Sequence, residues 1–154
     1  MPTFIENEIK EVLDDYIRNC IVVGEGRDYL IVLLTLKSKF DEKNEPLDEL
    51  DDAVIMSLRS LDVNLTKPSE IANLDSNHKL MKYFKEKIAV ACKRASISAS
   101  YSTDICQVKN FKILSRDFSL QKGELNALMK VSRKKVLENF ESEINDCYNS
   151  ELSN

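Results

Sequence analysis

The run Tyr29-Leu30-Ile31-Val32-Leu33-Leu34-Thr35-Leu36 decides how this chain folds. It is apolar except for Thr35, and rich in leucine and β-branched residues. A strand with one wet face alternates apolar and polar side chains. This run does not alternate, so it reads as a central strand covered on both faces. Just before it, Gly24-Glu25-Gly26-Arg27-Asp28 is turn chemistry, and the short run 20–23 is apolar. Together they predict a hairpin. Residues 106–114 alternate loosely and supply a third strand.

Outside these strands the apolar residues recur at helical spacing. Ile5, Ile9, Val12, Leu13 and Tyr16 mark a first helix. Thr3-Phe4-Ile5-Glu6 fits a capping box at its start, with threonine at the cap and glutamate three residues on. Leu50, Val54, Leu58 and Leu61 mark a second helix, and Pro68-Ser69-Glu70 starts a short helical turn. Leu80, Phe84, Ile88 and Ala91 define a longer helix over 77–96. Val136, Leu137, Phe140, Ile144, Cys147 and Tyr148 line the final one. The polar stretch 37–48, which contains Pro46, reads as a loop. The Ser- and Ala-rich stretch 96–103 reads as a connector or a frayed helix end. The pattern predicts one domain over 1–154 of the α/β class (α+β type), with a small three-stranded sheet and helices packed against it. The polar residues 149–154 form a disordered tail in this reading.

Composition narrows the function. The chain has 154 residues, 43% of them hydrophobic and 31% charged, with a net charge of −4. That is a soluble, globular composition, long enough to bury a core. No apolar run reaches the length of a membrane span, and no signal peptide opens the chain. A chain that starts on a capped helix reads as a piece of something longer. Cys20, Cys92, Cys106 and Cys147 are not closely spaced, and His78 is the only histidine. This argues against a metal site and a disulfide framework, and for reduced thiols in the cytoplasm. A lone histidine at a helix start is a surface or capping residue. No Gly-rich phosphate loop exists, since Gly24-Glu25-Gly26 lacks a third glycine. The chain holds no self-contained active site, so an enzymatic role means supplying groups to a site completed elsewhere.

The chemistry concentrates in Gly123-Glu124-Leu125-Asn126-Ala127-Leu128-Met129-Lys130-Val131-Ser132-Arg133-Lys134-Lys135. From Lys109 to Lys135 there are eight Lys/Arg against two Asp/Glu, on a chain that is otherwise acidic. A local positive field suits phosphate or carboxylate partners. It also fits a solvated helix face where cations happen to cluster.

These residues carry a resemblance. Asp117-Phe118-Ser119, Gly123-Glu124-Leu125 and Met129-Lys130-Val131-Ser132-Arg133 resemble the C-terminal segment of the adenylate-forming acyl-CoA synthetases. The bubblegum-type very-long-chain branch is the nearest match, with D-F-S, G-G-E-L and T-x-x-M-K-L-K-R. Pro2 with Ile5-Glu6 resembles the P-x-x-I-E that follows the hinge motif. Leu33-Leu34-Thr35-Leu36-Lys37 and Pro46-Leu47-Asp48 resemble that branch's L-L-T-L-K and P-L-D. Each piece is short; their order and spacing give the resemblance its specificity. The sequence departs from the pattern at Lys122 (a glycine in the branch), at Asn126 and Leu128 (threonines) and at Ser132 (a basic residue).

The resemblance implies the mobile C-terminal domain of a long- or very-long-chain fatty acid CoA ligase, inactive alone. Its partners would be a large N-terminal adenylation domain, absent here, and fatty acid, ATP, Mg2+ and CoA in the full enzyme. None of these would bind stably to this domain alone, and no nucleic acid is implied. Lys130 matches the catalytic lysine that enters the active site for adenylate formation. The domain then swivels for thioester formation. Gly123 and Glu124 would shape the loop, glycine as the turn and glutamate as a tether for a nearby cation. Arg133 would either hold the loop against the domain or face the nucleotide. The setting implied is cytoplasmic, including peripheral association with the endoplasmic reticulum or other membranes. The alternative is a free-standing interaction module whose basic loop binds nucleic acid or acidic lipid. The acidic net charge and the lack of an aromatic platform in the basic stretch weigh against it.

Overall fold

The structure, a computed structural model, describes residues 2–24, 26–99 and 108–152. Helix α1 (Pro2–Val12) leads into strand β1 (Ile17–Val23), and β2 (Leu30–Leu36) follows through the predicted turn. The turn is closed by the Arg27 amide donating to the Gly24 carbonyl at 3.0 Å. The two strands pair antiparallel, with Cys20 opposite Leu34 and Val22 opposite Val32. Strand β5 (Val108–Ile113) joins the other edge of β2 in parallel, so the sheet runs β1-β2-β5 and β2 is central. A parallel neighbour needs a crossover. Here it carries β3 (Ser38–Phe40), β4 (Pro46–Leu50), α2 (Asp52–Ser60), α3 (Pro68–Ala72) and α4 (Lys79–Ala99). Helices α5 (Arg133–Asn139) and α6 (Glu141–Leu152) end the fold.

Successive side chains of a strand point to opposite faces, and β2 uses both. Val32, Leu34 and Leu36 face a core built with Ile5 and Ile9 of α1, with Leu13 just beyond it, and with Phe84 and Ile88 of α4. Ile31 and Leu33 face a second core with Leu114, Phe118, Val136, Phe140 and Ile144. The absence of alternation in the sequence is thus the mark of two buried faces.

Four expectations need correction. The stretch 37–48 is not a loop. Strands β3 and β4 form a second, two-stranded antiparallel sheet, with Ser38 opposite Leu50 and Phe40 opposite Pro46. Their turn is made by Asn44 at φ 61° and by the Asp41 carboxylate, which accepts from the Lys43 and Glu45 amides. Most of its side chains are exposed, so no apolar period betrays it. Pro46 opens its strand, where a missing amide does no harm. The capping box at Thr3 does not form: the helix already includes Pro2, and the Glu6 carboxylate turns to β1 instead. The long helix runs beyond residue 96, to Ala99. The last helix is two, broken at Phe140 (φ −110°, ψ 25°), although both halves keep one continuous apolar face.

His78 does cap α4, its Nδ1 accepting from the Leu80 amide at 3.0 Å. Residues 100–107, with Cys106, lie outside those described, as do 153–154. Helix α6 continues to Leu152, so it overlaps the tail expected over 149–154.

Candidate functional site

The loop between β5 and α5 is built on a buried carboxylate. Glu124 is fully buried. Arg116 grips it with two parallel bonds at 2.7 and 2.8 Å, while the Ser119 amide donates at 2.9 Å and Asn139 Nδ2 at 2.8 Å. The same guanidinium lies 4.8 Å from the centre of the Phe140 ring. Burial alone would push the Glu124 carboxyl up. The hydrogen bonds from Arg116, Asn139 and Ser119 outweigh it and hold the group below the usual carboxylate range. Glu124 therefore tethers a cation, as the sequence suggested, and also fixes two other segments. Gly123, just before it, sits at φ 79°, a backbone angle that L side chains avoid. Its amide closes the turn onto the Leu120 carbonyl at 3.1 Å.

From this base the chain makes a tight excursion and returns. Leu125 pairs with Val131 across an antiparallel bridge. The Asn126 amide donates to the Lys130 carbonyl at 2.9 Å, and the Met129 amide to the Asn126 carbonyl at 2.8 Å. Asn126 Oδ1 accepts from the amides of both Leu128 and Lys130, at 2.9 and 3.0 Å. Met129 takes the left-handed conformation, φ 61°. The Ser132 amide then donates to the Glu124 carbonyl at 2.8 Å, and the Ser132 hydroxyl caps α5. The amides of Asn126, Leu128, Met129, Lys130 and Ser132 are thus all bonded within the loop, which fastens the turn.

Lys130 is carried on that tip and is exposed. Its ammonium has no hydrogen-bond or ion-pair partner among the described residues. Three other cations of the basic stretch have a carboxylate partner in the domain: Arg116 with Glu124, Arg133 with Glu6 and, at a long 3.8 Å, Lys135 with Glu138. The positive field is thus thinner than the count of lysines and arginines suggests. Beside Lys130, Leu128 is 77% exposed and Met129 48%.

Arg133 is not part of the tip. It is the first residue of α5, and its guanidinium turns toward α1 and the sheet. Its guanidinium meets both oxygens of Glu6, at 2.7 and 2.9 Å, and donates to the Val22 carbonyl at 3.0 Å. Glu6 in turn accepts from the Val22 amide at 2.7 Å. Arg133 therefore ties α5 to α1 and to the sheet. Next to it lies a polar hollow of about 180 Å³ that Lys10, Asn19, Cys20 and Val131 help to line. Burial pushes the Cys20 thiol up, which keeps it protonated and unreactive.

One supporting cluster escaped the sequence reading. Asp117 is buried and accepts from Arg18 at 2.7 Å, Asn19 at 2.9 Å and the Phe118 amide at 2.8 Å. Arg18 also reaches Asp51 at 3.2 Å and the Ser38 carbonyl at 3.1 Å. Arg18 belongs to no motif, and only the resemblance singled out Asp117. Among the described residues, no three His, Cys, Asp or Glu side chains gather to hold a metal, and no helix is long and apolar enough to cross a membrane.

The fold recurs in known proteins. Residues 1–108 match the family model of the AMP-binding enzyme C-terminal domain, and the chain belongs to that family. Among curated proteins it is 32% identical to the long-chain-fatty-acid–CoA ligase heimdall of Drosophila melanogaster, over 86% of this chain and 21% of the relative. It is 29% identical to long-chain-fatty-acid–CoA ligase ACSBG1 of Bos taurus, over 99% of this chain and 20% of the relative. The chain spans about a fifth of the length of these relatives. Two solved structures share the fold. They are the adenylation and carrier didomain of the carboxylic acid reductase of Segniliparus rugosus (TM-score 0.55, 12% identity, 97% of this chain and 16% of that one) and the adenylation domain of a Mycobacterium chelonae carboxylate reductase (0.56, 13%, 94% and 17%). The three-stranded sheet with its packed helices is thus the C-terminal fold of adenylate-forming enzymes, as the resemblance implied. The family model stops short of the Lys130 loop.

Proposed function

We propose that this domain works within an ATP-dependent ligase that joins long- or very-long-chain fatty acids to CoA, and that Lys130 is its contribution to the first half-reaction. The observation that carries the reading is an unpaired ammonium on an internally fastened tip. The role follows from charge. When a carboxylate attacks the α-phosphate of ATP, two anionic groups must approach each other. An ammonium placed between their oxygens offsets the repulsion and stabilises the charge that builds in the transition state. Help of this kind is worth about 3–4 kcal/mol per group in comparable sites. Lysine suits the task as a compact point charge on a flexible stem.

ATP, Mg2+ and CoA would be held by the large adenylation domain, and this chain would bring the cation to them. A group delivered on a moving domain can leave once the adenylate has formed, making room for CoA. Lys130 acts here as an orienting cation, neither base nor nucleophile.

The test is Lys130→Ala in the full-length enzyme, with the half-reactions measured apart. Acyl-adenylate formation should fall by about two orders of magnitude or more, and thioester formation from supplied acyl-adenylate should persist. Equal rates in both half-reactions for variant and parent would refute the role.

A further inference from the structure

The tip that carries Lys130 also carries two apolar side chains that the domain does not use. Leu128 is the most exposed large hydrophobic residue among those described, and Met129 is half exposed beside it. Both are held in that position. Leu128 is fixed through its amide on Asn126 Oδ1, and Met129 by a left-handed backbone angle and its bond to the Asn126 carbonyl. A flexible loop would fold such side chains back against the domain to leave water. Here the bonds to and from Asn126 hold the turn in the shape that keeps both side chains out. An adjacent apolar pair kept exposed in this way offers area that a contact would bury.

We propose that Leu128 and Met129 form a docking tip that seats in an apolar recess of the large adenylation domain of the same polypeptide, and so sets the depth to which Lys130 enters. This rests on the reading of Lys130 above. Two observations select that occupant. The unpaired cation directly follows the apolar pair, so the complementary surface must offer apolar area bordering an anionic site. The chain also spans about a fifth of its relatives, so in a protein of that size such a surface lies in the remaining sequence. Apolar contact gives the ammonium what charge alone cannot: a fixed position. Misplacement by about 1 Å is enough to lose much of the effect of an oriented group.

Two measurements in the full-length enzyme test this. In the first, p-benzoylphenylalanine replaces Leu128 and is irradiated in the presence of ATP and fatty acid. Capture of a peptide from the large domain is expected. Capture of lipid, of a second copy of the protein or of nothing would overturn the proposal. In the second, Leu128→Asn with Met129→Gln should slow acyl-adenylate formation at least tenfold while thioester formation from supplied adenylate is unchanged. The same pair in the isolated 154-residue chain should leave its melting temperature unchanged, since both side chains are exposed. If Lys130→Ala is crippled and the double variant is not, the role of Lys130 stands and the docking tip falls. If Lys130→Ala is fully active, the role of Lys130 fails, and the cross-link decides the docking tip alone.

Discussion

Arg133 and Glu6, 127 residues apart in sequence, form a two-pronged ion pair at 2.7 and 2.9 Å. It closes the chain on itself: the first helix and the start of α5 are pinned to the same residue of β1, through the backbone N–H and C=O of Val22. The loop bearing Lys130 ends at this pin. Arg133→Ala leaves the nearly buried Glu6 carboxylate with one amide as its partner. Because the guanidinium is partly solvated, the cost should be about 2 kcal/mol rather than that of a fully buried pair. Urea unfolding of the isolated chain measures it. Arg133→Lys should recover less than half, since one ammonium cannot serve both carboxylate oxygens and the carbonyl in the fork geometry.

Glu124 gives the fold an acid limit. Its carboxyl is held below the usual range in the folded state. Such a group adds stability above its unfolded value, roughly pH 4.3, and loses it as pH falls through the folded value. Stability of the parent should therefore decline below about pH 4.3. Glu124→Gln should be about 2–3 kcal/mol less stable at pH 7, because Arg116 loses its counter-charge, and should show a shallower decline in acid. Thermal melts at pH 3 to 7 check both.

Gly123→Ala should destabilise by about 1 kcal/mol through the backbone angle alone. A methyl group there would meet Lys135 carbons at an ordinary 3.4 Å, so no clash adds to it. For a chain of this size the melting temperature should drop by about 3 °C.

Asn126→Ala should loosen the tip without touching the core. Its side-chain oxygen is the acceptor for the Leu128 and Lys130 amides. Hydrogen exchange at those two amides should speed up by about tenfold, with amides of β2 unchanged.

Lys130→Ala in the isolated chain should change stability by less than about 0.5 kcal/mol, since its ammonium has no hydrogen-bond or ion-pair partner among the described residues. A larger loss in urea unfolding would mean that the lysine has a structural partner after all.

How legible all this was differs by element. The central strand, its hairpin partner and the helices around them rest on apolar side chains, and apolar spacing is written along the chain. The β3–β4 hairpin was invisible because it is held by backbone bonds and one aspartate, with its side chains in water. The break at Phe140 was hidden because the apolar face runs straight through it. At the site, the turn at Gly123 was legible in the local sequence, and the resemblance singled out Lys130, which the fold leaves exposed. Glu124 was foreseen as a tether, but not as a fully buried anchor for three segments.

The sequence by itself determined which residues are apolar, at what period, and hence a sheet with a doubly covered middle strand and a basic loop before the last helices. Those are local properties, fixed by neighbours a few positions away. Only the tertiary structure decided which cations are paired inside the domain, and that Lys130 has no such partner among the described residues. That pairing depends on carboxylates brought from 8 and 127 residues away, as Glu124 is to Arg116 and Glu6 is to Arg133. Ion pairing follows distance in space, and the chain sets that distance only by folding.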